Sequence, residues 1–330
     1  MTTGSSHAML KAADRLISAG GVMDIRSSVI SHSFWICAAL AVLTSLANSA
    51  SADSMDTITV QAQRDKAKLE REVNKFVSST IIQPRNYDES LWRWKDQVCP
   101  LVAGLNKEQG EFVLGRLSEI AKTAGAPLGA ETCKANLYVI VTSAPELLLK
   151  QWWRRDVDLF DGEAGPTVRR FLETPRPIRV WYSAGTVGAD GQFFIGLLDA
   201  TSERAKPSGH VTVVRISPQA ATRLKLTATR NISSVIVVVD STKIGNINFG
   251  QLADYIGLVG LAQINFEKQP GDAPTILRLF ESSGDSRPKE MTAWDRALLH
   301  ALYSTSQTDV MQIAQMQSAA LKDIAPKSPN

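Results

Sequence analysis

The chain has 330 residues, of which 44% are hydrophobic and 21% charged, and its formal net charge is +3. That composition supports a buried core, in one large domain or two small ones. Charge so near balance shows no footprint of a nucleic-acid binder, which would need a clustered basic face.

Taken in chain order, residues 23–52 are the first informative stretch. A short n-region with Arg26 precedes an apolar run from Phe34 to Leu46, and Ala50-Ser51-Ala52 follows. This is the layout of a secretory signal peptide, with cleavage expected after Ala52 and a mature chain of 53–330. Met23 is itself a plausible start, so 1–22 read as an upstream extension of the reading frame, with a long n-region as the alternative. Cys37 follows Phe34-Trp35-Ile36, and those bulky residues argue against a lipoprotein cysteine. No later run reaches the roughly 18 apolar residues of a membrane span, so the mature chain is expected not to cross a bilayer. Export, to the periplasm or beyond it, leaves Cys99 and Cys133, 34 positions apart, as the expected disulfide.

Thr57-Ile58-Thr59-Val60 alternates as a strand does, and the charged stretch Arg64–Val77 has helical spacing through Leu69, Val73 and Phe76. Trp92 and Trp94 are expected to pack around the cross-link. Lys107–Ala124 predicts a helix stopped by Gly125, Leu137–Val141 a buried strand, and Pro145 the first turn of another helix. Pro175 and Pro177 end the next helix before Ile178–Tyr182 becomes extended. Gly185–Gly191 leads into Phe193-Phe194-Ile195 and reads as a β-hairpin turn, not a phosphate loop. His210–Ile216 and Val235–Val239 are further strands. Helices are expected at about 247–264, 274–281, 292–304 and 308–323. The fold class is therefore α+β: a mixed sheet with packed helices, a helical C-terminal third and one disulfide. A disulfide-pinned region, 53–160, would pack closely on a second region, 161–325.

Catalytic constellations are scarce. The mature histidines are His210 and His300, on separate elements, which is no zinc triad. No GxSxG elbow occurs, and Pro288 breaks the helix that Ser286-Arg287-Pro288-Lys289 would need. No catalytic residue, metal ligand or cofactor site is assigned.

The segment Gly250-Gln251-Leu252-Ala253-Asp254-Tyr255-Ile256-Gly257-Leu258 is similar in frame to the active-site helix of zincin-type metallopeptidases, His-Glu-x-x-His-x-x-Gly. Gly250 and Asp254 stand at the histidine positions, Gln251 at the glutamate and Gly257 at the glycine. The third-ligand position of one subgroup falls on Gly260. Downstream, Pro274-Thr275-Ile276, Met291-Thr292-Ala293-Trp294-Asp295 and Leu302-Tyr303 resemble the C-terminal part of a zincin-like family of exported Gram-negative proteins of unknown function. The resemblance covers Val235–Tyr303 and implies a degenerate site. Gly250 offers no side-chain ligand, and Gln251 is no general base.

The expected function is thus a non-catalytic binding or scaffolding module of the cell envelope, with an envelope protein or small ligand as partner. One alternative is a carboxylate- or metal-dependent envelope hydrolase, using Asp254 with Asp240. A second follows from Asp56–Gln63, which resembles the energy-coupling box of TonB-dependent receptors and would make the chain an accessory to outer-membrane transport by adding a strand to a partner.

Overall fold

A computed structural model describes residues 50–84, 89–155, 160, 166–188, 193–194, 226, 228–281 and 286–326. The chain divides into two compact units, Met1–Gln61 and Ala62–Asn330. Of the first unit, Ala50–Gln61 is described, as the start of helix α1 (Ala50–Thr80). The expected strand at Thr57–Val60 is therefore corrected to helix. Four alternating residues with no strand to pair against do not outweigh the run of charged helix formers behind them, because helix propagation is far easier than nucleation. The strand that an energy-coupling box would add is accordingly not formed at Asp56–Gln63.

The second unit is built on one mixed sheet in the order β1-β2-β5-β3-β4. Strands β1 (Pro100–Ala103), β2 (Leu137–Thr142) and β5 (Ala228–Asp240) are parallel, and β3 (Ile178–Gly188) runs antiparallel to β5. The short β4 (Phe193–Phe194) pairs back onto β3 through Thr186↔Phe194, which is the hairpin expected there, with β3 continuing to Gly188. Because β5 lies between β2 and β3, the sheet draws on residues from both sides of position 160.

Alternation along β5 divides the core. Val235, Val237 and Val239 face one cluster, and Ile236 and Val238 face the other. The first face is covered by α1, α2 (Lys107–Ala124), α5 (Phe249–Leu261), α6 (Ala293–Ser304) and α7 (Gln312–Ile324). The second carries α3 (Pro145–Arg155) and α4 (Pro166–Glu173), where the rings of Phe160, Phe171 and Trp181 meet tilted or edge to face at 5.6–5.9 Å between centroids. Burial on both faces explains why Val235–Val239 is a continuous apolar run.

Helix ends follow local chemistry. Asn106 caps α2 through Gln109 N at 2.9 Å, and Gly125 stops it at φ 77°. Cys99 and Cys133 form the disulfide, with Cα atoms 5.9 Å apart, and tie the start of β1 to the loop ahead of β2. Trp94 packs elsewhere than expected: its indole Nε1 donates to Gly260 O at 2.8 Å on α5. Between the two tryptophans, the Arg93 guanidinium donates to Leu302 O and Thr305 O and closes the C-terminal end of α6. The expected strand at His210–Ile216 lies outside the described residues. So do the signal segment up to residue 49 and the tail from residue 327, whereas the expected cleavage position after Ala52 falls in the first turn of α1.

Candidate functional site on helix α5

Helix α5 leaves the sheet after β5 and is buried from Gln251 to Leu261. A helix apolar on nearly every face belongs in the middle of a fold. Its first turn is closed by a capping box: Asn248 Oδ1 accepts from Gln251 N at 2.8 Å, and Gln251 Oε1 accepts from Asn248 N at 3.2 Å. Gln251 Nε2 also donates to Pro288 O at 2.6 Å, so both ends of its amide are occupied.

Asp254 lies one turn further on the same face, and its side chain is 1% exposed. Its Oδ1 accepts from Arg116 Nε at 2.6 Å, and its Oδ2 accepts from Arg116 Nη2 at 3.3 Å and from Met291 N at 2.6 Å. Arg116 comes from α2, and its Nη1 donates to Glu119 at 2.8 Å. The hydrogen bond to Asp254 is the largest cause holding its pKa above the usual arginine value. Pro288–Met291 is thus laced across the face presented by Gln251 and Asp254. Gly250 adds no side chain, and a Cβ there would meet only Asn248 Oδ1, at 3.2 Å.

The two downstream glycines of the helix serve packing. A Cβ on Gly257 would stand 2.5 Å from Ile120 Cδ1, and one on Gly260 would stand 3.1 Å from Leu137. These are the places where α5 closes on α2 and on β2. Aromatic hydroxyls donate to carbonyls at the end of α5: Tyr182 Oη to Val259 O at 2.8 Å, with the carbonyl of the capping residue Ala262 at 3.0 Å as the alternative acceptor, and Tyr303 Oη to Leu261 O at 2.7 Å. Burial pushes both phenols above their ordinary range.

The motifs after α5 meet at Asp295. Its carboxylate accepts from Thr275 Oγ1 at 2.5 Å, Ile276 N at 2.8 Å, and Thr292 N and Oγ1 at 2.9 and 2.8 Å. Burial pushes this carboxyl up, against donors that favour its charged form. One buried group therefore holds the Pro274-Thr275-Ile276 turn to the N-terminus of α6.

Asp240 is not brought into a dyad with Asp254. It ends β5 and accepts from Thr242 N and Oγ1 and, at 2.7 Å, from Lys243 Nζ. Among the described residues, the two carboxylates share no hydrogen-bond partner. His300 is exposed on α6 with Nδ1 2.6 Å from Asp323, and His210 lies outside the described residues. Among the described residues, no group of three or more His, Cys, Asp and Glu side chains gathers as metal ligands would.

Beside the Asp254 node, α2 and α6 enclose a cleft of about 260 Å³. Arg116 and Met291 belong to both the node and the cleft wall, and Arg296 forms part of its rim. Arg116, Asp295 and Arg296 were not among the candidate site residues. Arg116 lies 138 positions from its partner, a separation that leaves no local pattern to find it by. The chain matches no protein-family model, no curated protein and no solved structure.

Proposed function

We propose that the chain is an exported, non-catalytic module of the cell envelope that works by binding or scaffolding, on a zincin-like frame whose reactive positions have become structural. One observation carries this reading: Gln251 and Asp254, the two polar residues at the frame's reactive positions, are engaged by Asn248, Pro288, Arg116 and Met291. A general base needs a lone pair aimed at substrate, and a metal ligand needs one aimed at an ion. Here an arginine, a backbone amide and a loop occupy those directions. The disulfide is in keeping with an oxidising compartment, and no helix among the described residues is long and apolar enough to cross a membrane.

The test is zinc content of the mature chain, 53–330, purified from the periplasm without chelators. Well under one equivalent of zinc, and a Tm unmoved by chelator, are expected. Near-stoichiometric zinc whose removal lowers Tm would overturn the reading and bring the hydrolase forward. N-terminal sequencing of the same preparation is expected to begin at Asp53.

A further inference from the structure

We draw no further inference here: the strongest candidate, the apolar strip on the second face of the sheet at its β1 edge, where Leu101 is exposed and its register partner Tyr138 and neighbouring Ile140 are half-buried, carries nothing because nothing in the structure shows what covers it.

Discussion

Single side chains hold this fold at points where polar groups are buried. Asp240 is one that responds to pH. Its burial raises the pKa, but hydrogen bonds from Lys243 and Thr242 outweigh that and hold the carboxyl below its ordinary 3.8. A depressed folded value means that the unfolded chain binds the proton more readily. The stabilisation is therefore full above the unfolded pKa and is lost as pH falls through the folded one. Urea midpoints measured from pH 7 to pH 3 should fall on the acid side, and Asp240→Asn should flatten that fall; an unchanged acid slope would contradict the assignment. At this scale legibility was uneven. Thr292 and Asp295 read in sequence as a helix start, and the capping box is present. That Asp295 also holds Thr275 and Ile276 was not readable, since it depends on a turn 20 positions upstream. Nor could Arg116 be paired with Asp254, because spacing along a chain says nothing about contacts across helices.

Among elements, α5 is the hub, and its small residues set how close its neighbours come. Gly257→Ala would gain about 1 kcal/mol of helix propensity but must displace Ile120, an overpacking cost of about 1–3 kcal/mol. Net destabilisation of about 1 kcal/mol is expected in chemical denaturation, and Gly257→Leu should cost considerably more. A stabilised Gly257→Ala variant would mean that α5 and α2 are not in contact there. The helical expectations near 107–124 and 292–304 hold because each has an apolar stripe and its own cap, whereas the one near 308–323 begins later, at Gln312, where no side chain caps the first turn. About 274–281 shortens to a single 3-10 helix, Ile276–Phe280, since Pro274 and the Asp295 contacts fix its entry. Thr57–Val60 failed as a strand because alternation over four residues carries no information about a partner strand. β5, by contrast, announced itself through a run buried on both faces.

For the whole molecule, the Cys99–Cys133 bridge closes a loop of 34 positions, for which chain-entropy reasoning gives about 3–4 kcal/mol. Reduction with dithiothreitol should lower the denaturation midpoint by a corresponding amount, and Cys99→Ala/Cys133→Ala should reproduce it; equal midpoints in reduced and oxidised protein would show the bridge to be incidental. The α+β class and the disulfide were legible because composition, strand length and cysteine count bear on them directly. The strand order was not, since the insertion of β5 between β2 and β3 is a long-range choice that no local pattern records.

The central claim is that Asp254 of α5 is a structural partner of Arg116 on α2, and a double-mutant cycle on the two residues tests it most directly. Arg116→Ala leaves a buried carboxylate with one remaining donor, Met291 N, and Asp254→Ala strips the Met291 amide and the guanidinium together. Each single variant of the mature chain should cost about 3 kcal/mol in urea denaturation, and the pair should show a coupling of about 2 kcal/mol. Single costs below about 0.5 kcal/mol that simply add, as at an exposed ion pair, would contradict the account and return Asp254 to the candidates for chemistry.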